Sequence, residues 1–303
     1  MHNLPNFILA GFPKCGSTSL YYYLGAHPEV FVPKQKELHY FTASQLMALD
    51  QGKDDAEVLR FHIENLKDYQ ACYKEVGSEK AIGDISPSYA NYPEVFESIK
   101  STLGNDTKVL VMIRNPINRT YSNYLHLVRE GREELSFYDA LMAEESRKQQ
   151  KYSDFWYYTA NSMYADKIKA LKNVFDSVMV INFEAFIKDV SGQMTTIYNF
   201  LGVDPSFVAE NVDTQFNPGG VYKQNPITRF IFGQSGLKSA IKSHMHIPES
   251  FKKLKLKLIN QYKEETPPID SKAQEYLESL FEEEIEKLRT EHGVNTSLWL
   301  KKP

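Results

Sequence analysis

The chain has 303 residues, of which 42% are apolar and 13% are aromatic. This composition can supply the core of one large α/β domain, and it excludes a chain that is disordered throughout. The formal net charge of -4 gives no general attraction to nucleic acid or to an anionic membrane. We therefore expect no nucleic-acid partner, and an acidic ligand has to be held by a local group of basic residues.

Cysteine usage and the N-terminal segment bear on the cellular compartment. Cys15 and Cys72 are the two cysteines of the chain, and they form neither a disulfide framework nor a metal-ligand spacing. The chain enters an apolar run at Phe7 without the features of a signal peptide, and no apolar run reaches membrane-spanning length. We expect a cytoplasmic protein that binds no metal. The alternative is a Golgi-lumenal domain trimmed of its anchor.

The first half of the chain alternates between apolar runs and helical patterns. The apolar runs predict three buried strands, at Phe7–Gly11, Lys108–Ile113 and Ser177–Asn182. A helix follows the first strand, and another begins at Pro116 and runs toward Arg129. Further helical stretches are predicted at residues 93–102, 136–149, 162–175 and 192–201. This alternation predicts an α/β fold with a central parallel sheet flanked by helices.

We expect the second half to belong to the same single domain, residues 1–303, with a core at about 5–230 and a helical C-terminal portion at about 231–303. The sequence NPGG at residues 217–220 predicts a loop. Residues 237–263 then hold seven lysines against one glutamate, and residues 275–291 hold seven glutamates against one lysine and one arginine. We interpret these segments as solvated helix faces that can pair; the alternative is that the basic segment holds an acidic acceptor.

The nonapeptide GFPKCGSTS at residues 11–19 joins a predicted strand to a predicted helix. Backbone N–H groups and the helix dipole can converge on an anion there, so we expect a phosphate-binding loop. A Walker loop would carry lysine at position 17, but Ser17 stands there and the basic residue is Lys14. A P-loop nucleotide kinase would also need an acidic residue for Mg²⁺, whereas the second strand is followed by Arg114. Without a ligand, the same nonapeptide would be a tight strand-to-helix turn.

A second anion contact is suggested by Arg114 and Ser122. Arg114 follows directly on a buried strand, and Ser122 lies two turns along the helix that begins at Pro116. The guanidinium and hydroxyl groups can therefore reach one tetrahedral anion. An isolated pair of this kind is more often a salt bridge and an exposed serine, but its occurrence together with the loop favours a ligand.

With these motifs the sequence resembles the sulfotransferases that use PAPS (3'-phosphoadenosine 5'-phosphosulfate), and its motifs are closest to the carbohydrate (heparan-type) and bacterial members. The resemblance covers about residues 5–230. It is carried by PKCGSTSL at residues 13–20 and by IRNP at residues 113–116 with Arg119, Tyr121 and Ser122. Weaker similarity follows in ELHYF at residues 37–41, SPSY at residues 86–89, Tyr164 with the helix after it, and FLG at residues 200–202.

The resemblance implies a P-loop-like fold and a set of nucleotide contacts. The 5'-phosphosulfate would be held by Lys14, Cys15, Gly16, Ser17, Thr18 and Ser19. The 3'-phosphate would be held by Arg114 and Ser122, with Tyr164 and Lys223 as further nucleotide contacts. The implied activity is transfer of a sulfuryl group from PAPS to a hydroxyl or amine, which leaves the nucleotide PAP and requires no metal.

Attack by an alcohol on sulfur needs a base for the proton and a cation for the charge on the leaving group. Lys14 suits the cation's role. Glu37 and His39 lie two positions apart in a segment expected to be extended, so both can line one pocket. Because heparan-type enzymes carry glutamate and histidine at this spacing and use the glutamate as base, the resemblance favours Glu37, with His39 as the reserve and His62 as a weaker one.

The acceptor is less well indicated than the donor. We expect a saccharide hydroxyl, and the alternative is a small-molecule or lipid alcohol. Where heparan-type enzymes carry a lysine before the Ser-Pro pair, this chain has DISP at residues 84–87, which weakens the case for a glycosaminoglycan. Lys34, Lys36 and the lysines after residue 237 are candidates to compensate. A non-catalytic nucleotide-binding protein is expected only if Glu37 lies away from the donor.

Overall fold

A five-stranded parallel sheet in the order β2-β3-β1-β4-β5 forms the centre of the molecule. The computed structural model describes residues 4–58, 63–209, 221–222 and 262–299. The strands are β1 (Phe7–Gly11), β2 (Val30–Phe31), β3 (Ala81–Ile85), β4 (Lys108–Ile113) and β5 (Ser177–Asn182), and the short β6 (Val221–Tyr222) and β7 (Lys263–Glu264) pair antiparallel. Every residue of β1 is buried, as expected for the middle strand of a covered parallel sheet. The predicted parallel α/β fold is confirmed.

Twelve helices surround the sheet in the part of the chain that the structure describes. They are α1 (Ser17–Ala26), α2 (Ala43–Met47), α3 (Asp55–Val58), α4 (Leu66–Ala71), α5 (Phe96–Leu103), α6 (Pro116–Glu130), α7 (Phe137–Met142), α8 (Glu144–Gln149), α9 (Ala165–Val174), α10 (Phe183–Lys188), α11 (Val190–Leu201) and α12 (Ser271–His292). The predicted helix at residues 136–149 is two helices that meet at Ala143. Predictions for His62, Lys223, the loop at residues 217–220 and the basic residues 237–261 lie outside the described residues.

Capping residues define both ends of α6, the helix that contains Arg119 and Ser122. Asn115 caps α6, since its Oδ1 accepts the N–H groups of Ile117 and Asn118 at 3.0 and 3.1 Å. Pro116 occupies the first helical position, and Gly131 ends the helix in the left-handed conformation with φ 74°. The start and end of α6 are therefore encoded locally.

The acidic segment at residues 275–291 is only partly a solvated face. It lies in α12, whose buried residues recur at helical spacing: Ala273, Leu277, Phe281, Glu284 and Leu288. Glu284 accepts the N–H groups of Tyr164 and Ala165 at 2.6 and 2.7 Å and thereby caps α9. This glutamate is structural because the stripe that contains it faces α6 and α9.

A second apolar cluster, apart from the sheet, supports the segment that follows α8. It contains Leu127, Phe137, Ala140, Leu141, Trp156, Tyr158, Ala273, Leu277 and Phe281. Buried ion pairs border it: Arg132 binds Asp55, and Arg147 binds Glu133 at 2.6 Å. Paired in this way, the charges avoid the cost of leaving one of them alone in the interior. The cluster fixes Tyr158, whose carbonyl contributes to the site.

Gly83 tests the packing of the central strands. A Cβ at this position would lie 2.2 Å from Cζ of Phe7, which is fully buried on the neighbouring strand. We expect Gly83→Ala to lower the free energy of unfolding by about 1–3 kcal/mol, measured by urea denaturation. The exposed Gly77 is a matched control, because its Cβ would meet nothing nearer than 3.5 Å; Gly77→Ala should cost about 0.5 kcal/mol or less. Equal losses would contradict the packing argument.

Candidate active site

The loop between β1 and α1 is shaped to receive an anion. Lys14 and Gly16 both adopt positive φ, at 70° and 100°. A Cβ on Gly16 would lie 2.8 Å from Cδ2 of Phe183, so glycine is required by both conformation and space. Gly16 contributes no side-chain cap, so the first N–H groups of α1, those of Ser17, Thr18 and Ser19, are available to an anion.

Arg119 fastens this loop from behind. Its side chain is fully buried and donates to the carbonyl oxygens of Pro13 and Tyr158 and to Oδ1 of Asn123, at 3.0, 3.1 and 3.2 Å. These bonds join the loop, the segment after α8, and α6. The sequence placed Arg119 inside the 3'-phosphate motif but did not reveal this role, because the acceptors are distant backbone carbonyls.

Cys15 and Tyr164 also lie behind the loop. Both side chains are fully buried, the Tyr164 hydroxyl is 3.9 Å from Cys15 Sγ, and the Tyr164 ring packs against Phe12 with centroids 4.7 Å apart. Burial raises the pKa of the Cys15 thiol to about 11, so it stays protonated at neutral pH. The structure thus shows both side chains supporting the loop, and their direct contact with a nucleotide stays a prediction.

Lys14 is a cation with no partner among the described residues. The structure gives its ammonium group no hydrogen bond or ion pair in that part of the chain. Burial and the guanidinium of Arg129 lower the pKa of Lys14 to about 7, with smaller effects from Arg119 and Arg114 and an opposing effect from Glu130. A partly desolvated lysine among like charges indicates a site that an anion completes.

Arg114 lies at the same edge of the sheet as the loop, because it follows β4 as the loop follows β1. Phe183 connects Arg114 to the loop: its ring borders Gly16, and its centroid is 5.0 Å from Cζ of Arg114. Arg114 Nε is buried without a hydrogen bond within the described residues. Ser122 follows Arg119 by three residues on α6, so the two lie on one side of that helix, and contact of Ser122 with a nucleotide stays a prediction.

Glu37 and His39, the two residues expected to line one pocket, contact each other. His39 Nε2 lies 3.0 Å from Glu37 Oε2, and Nδ1 lies 2.7 Å from Ser88 Oγ. The segment is irregular rather than extended, since His39 has φ 53°, but the two side chains still meet. Both ring nitrogens of His39 are therefore engaged, and so are both carboxylate oxygens of Glu37, one by His39 and the other by Lys36.

Lys36 joins this pair to the loop. Its Nζ lies 2.6 Å from Glu37 Oε1 and 3.4 Å from Oγ of Ser17, the first residue of α1. Burial alone would raise the pKa of Glu37, but the Lys36 ammonium and the bond from His39 outweigh it and hold the pKa well below its usual range. The carboxylate and the anion loop therefore meet at one place.

A buried chain of hydrogen bonds positions the backbone of Leu38 and His39, and the sequence did not predict it. Ser86 Oγ accepts the N–H groups of Leu38 and His39 at 3.2 and 3.1 Å and donates to Asp84 Oδ1 at 2.6 Å. The fully buried Asp84 also accepts the hydroxyls of Tyr69 and Tyr89, at 2.8 and 2.7 Å. The SPSY motif was the available signal, but its partners lie far away in sequence.

The fold and the site define a class of protein: an α/β protein with an anion loop after the central strand and a carboxylate–imidazole pair beside it, which is suited to group transfer from an anionic donor. Residues 5–206 match the Sulfotransferase family. The chain therefore belongs to the sulfotransferase family.

Individual relatives are similar at modest identity. The chain is 25% identical over 256 residues to human carbohydrate sulfotransferase 15, covering 67% of this chain and 44% of that protein. It is 23% identical over 206 residues to mouse heparan sulfate glucosamine 3-O-sulfotransferase 3B1, covering 66% and 46%. A crystal structure of a sulfotransferase from Alicyclobacillus acidocaldarius is 28% identical with a TM-score of 0.75, covering 98% of this chain and 99% of that one. The chain spans less than half the length of these two curated relatives.

Two features, a membrane-spanning helix and a metal-binding group of side chains, are absent from the described residues. None of their helices combines the length and apolar character needed to cross a membrane. No group of three or more His, Cys, Asp or Glu side chains in them is arranged to hold a metal ion. The expectation that no metal is needed stays a prediction, which binding in the presence of a chelator can test.

Arg119 allows a test of how the loop is held. We expect Arg119→Met to lower the free energy of unfolding by about 2–4 kcal/mol, because buried acceptors on Pro13 and Asn123 lose their donor. The measurement is urea denaturation without ligand. Arg289→Met is the control, since Arg289 is exposed and pairs with Glu286 on the same helix; its midpoint should stay unchanged. A parental midpoint for Arg119→Met would contradict the fastening role.

Proposed function

We propose that this sulfotransferase moves a sulfuryl group from PAPS to a hydroxyl, or an amine, of an acceptor. The observation that supports this most is the position of Lys14. It is a lysine on an anion loop with no ion-pair partner in the described part of the chain, and Lys36 connects the same loop to the carboxylate of Glu37. Lys14, which would contact the donor, and Glu37, the proposed base, therefore lie on segments that Lys36 joins.

On the donor side, residues 14–19 would hold the 5'-phosphosulfate, and Arg114 with Ser122 would hold the 3'-phosphate. The buried Nε of Arg114 and the Gly16 position, which tolerates no side chain, support a fit to an anionic nucleotide. The donor supplies a sulfur atom whose bond to the phosphate oxygen breaks as the acceptor oxygen bonds to it. Lys14 stabilises the negative charge that the leaving phosphate gains.

On the acceptor side, Glu37 takes the proton of the attacking hydroxyl, and His39 holds the carboxylate in place. A carboxylate whose pKa is lowered by Lys36 is a weak base, so Lys36 has to give up part of its contact during the reaction. Ser17 Oγ marks where it can go, because Lys36 Nζ already lies 3.4 Å from that atom. A donor anion bound there would attract the ammonium and restore basicity to Glu37.

The acceptor is proposed to be a saccharide, on the similarity to carbohydrate sulfotransferase 15. Of the lysines suggested as compensation, the two that the structure describes have carboxylate partners: Lys34 pairs with Glu75 at 2.7 Å, and Lys36 pairs with Glu37. This favours an acceptor with little negative charge, and a small-molecule or lipid alcohol stays the alternative. A cytoplasmic location also stays a proposal, consistent with the free cysteines Cys15 and Cys72.

The competing kinase hypothesis is disfavoured by Asp84, the acidic residue near the carboxyl end of the strand beside β1. Asp84 lies on β3, which adjoins β1, but its oxygens accept three hydroxyl hydrogen bonds and the side chain is fully buried. It is therefore committed to positioning Ser86. Position 17 is serine, so the lysine of a Walker loop is also missing.

Nucleotide preference tests the donor. We expect PAP to bind at least about 10-fold more tightly than AMP in buffer containing EDTA, because charged contacts to the 3'-phosphate add to the affinity. Titration calorimetry measures both constants. Arg114→Ala should remove the preference while the melting temperature without ligand stays near the parental value. Equal affinity of the parent for PAP and AMP, or tighter ATP binding that requires Mg²⁺, would contradict the donor assignment.

The base is tested by substitutions at Glu37 and His39. Glu37→Gln keeps the size and hydrogen-bonding shape but removes basicity, so kcat should fall by roughly 10²–10⁴-fold while PAP affinity stays near normal. Lys14→Ala should reduce both donor affinity and turnover, and His39→Ala should be milder than Glu37→Gln. PAP release with a working acceptor is the assay. Near-normal turnover in Glu37→Gln together with a large loss in His39→Ala would make histidine the base.

A further inference from the structure

Glu184 stands beside the arginine proposed for the 3'-phosphate. Its Oε1 lies 4.0 Å from Arg114 Nε, a long ion pair without a hydrogen bond, because that nitrogen makes no hydrogen bond within the described residues. A carboxylate that closed this gap would form a charged hydrogen bond, neutralise the guanidinium and compete with an anionic ligand. The structure therefore has to hold Glu184 back if Arg114 is to bind a phosphate.

Other donors hold both oxygens of Glu184. The backbone N–H of Asn115 lies 3.1 Å from Oε1 and 3.3 Å from Oε2. The indole Nε1–H of Trp299 donates to Oε2 at 2.8 Å, which is the shortest of these contacts. Asn115 is fixed as the cap of α6, so the indole is the donor that orients the carboxylate away from Arg114.

Trp299 is placed by the same elements that carry the arginine. The last described turn, Thr296–Trp299, is held by two side-chain amides: Asn115 Nδ2–H donates to Trp299 O at 3.3 Å, and Asn182 Nδ2–H donates to Asn295 O at 3.0 Å. Both asparagines also cap helices through Oδ1, Asn115 at α6 and Asn182 at α10. The C-terminal turn is thus tied to the ends of β4 and β5.

We propose that Trp299 is a positioning residue of the 3'-phosphate site: its indole N–H holds Glu184 off Arg114, which keeps the guanidinium available to the nucleotide. This inference rests on the proposed function, because it requires Arg114 to bind the 3'-phosphate. It makes discrimination between nucleotides with and without that phosphate depend on the C-terminal turn.

The test compares PAP and AMP binding in Trp299→Phe, which keeps an aromatic ring but removes the donor. We expect the Kd for PAP to rise by about 5–20-fold, since Glu184 then pairs with Arg114, and the Kd for AMP to change by less than about twofold. Glu184→Gln removes the competing charge, so PAP should bind at least as tightly as to the parent. In the Glu184→Gln background, Trp299→Phe should change the Kd for PAP by less than about twofold.

Trp156→Phe is the matched control. Trp156 is the other tryptophan of the chain, and its indole also donates to a carboxylate, that of Asp55 at 3.1 Å, but within the second apolar cluster. It should leave the ratio of PAP to AMP affinity unchanged. If Trp299→Phe fails to fold in a thermal melt, Glu184→Gln decides alone, and a weaker PAP affinity in that variant overturns the proposal.

The remaining outcomes separate the two levels of inference. A parent that prefers PAP, with the preference kept in Trp299→Phe or lost equally in the Glu184→Gln background, overturns the role of Trp299 and leaves the proposed function standing. Equal weakening of PAP and AMP by Trp299→Phe likewise overturns the positioning role. A parent that binds PAP and AMP equally overturns the 3'-phosphate site itself, and this inference with it.

Discussion

The buried guanidinium of Arg119 is the interaction on which the site depends. A charge of this size is costly to bury unless its donors are satisfied, and its acceptors are the carbonyls of Pro13 and Tyr158 and the amide of Asn123. Loop, supporting segment and α6 therefore have to keep one arrangement. All three acceptors are neutral, so the positive charge is not cancelled and adds to the field that an anion at the loop experiences.

Buried charges are paired differently in two parts of the molecule, the second apolar cluster and the surroundings of the loop between β1 and α1. In the second apolar cluster the arginines are matched, Arg132 by Asp55 and Arg147 by Glu133. Around the loop, neither Lys14 nor Arg119 contacts a carboxylate in the described part of the chain. Since folded proteins generally pair the charges they bury, an excess of unpaired cations at one place is best explained by an anionic ligand that completes the balance.

Local pattern predicted those parts of the fold in which local and tertiary preferences agree. The strands β1 and β4 are nearly continuous apolar runs because both of their faces are covered, and β5, at the edge of the sheet, is an apolar run that is mostly half-buried. The strand β3 was not predicted from the sequence, because Gly83 and Asp84 interrupt its apolar character. Tertiary contacts explain both residues: Gly83 makes room for the ring of Phe7, and Asp84 receives three hydroxyl groups. The short β2 and the break at Ala143 have no local signal of comparable strength.

The same distinction explains which parts of the site were readable. The loop and the pair of Glu37 and His39 each lie in one short stretch, so their spacing is visible in the sequence. More distant contacts are not visible: Ser86 accepts the N–H of Leu38, 48 residues away, and Trp299 donates to Glu184, beside Arg114 and 115 residues away. Only folding brings these partners together, and nothing in the local pattern around either partner marks the pairing.

The acceptor is hard to read for a different physical reason. The proposed donor carries two phosphates, which require cations at fixed positions of the backbone. Residues at such positions form recognisable sequence motifs. Around Glu37, by contrast, the charged side chains already satisfy one another: Lys36 binds Glu37, and Lys34 binds Glu75. These ion pairs therefore join charges within and beside the turn that carries Glu37, and they leave little charge there to select an acceptor. Selection then falls to shape and uncharged hydrogen bonds, which many different sequences can provide.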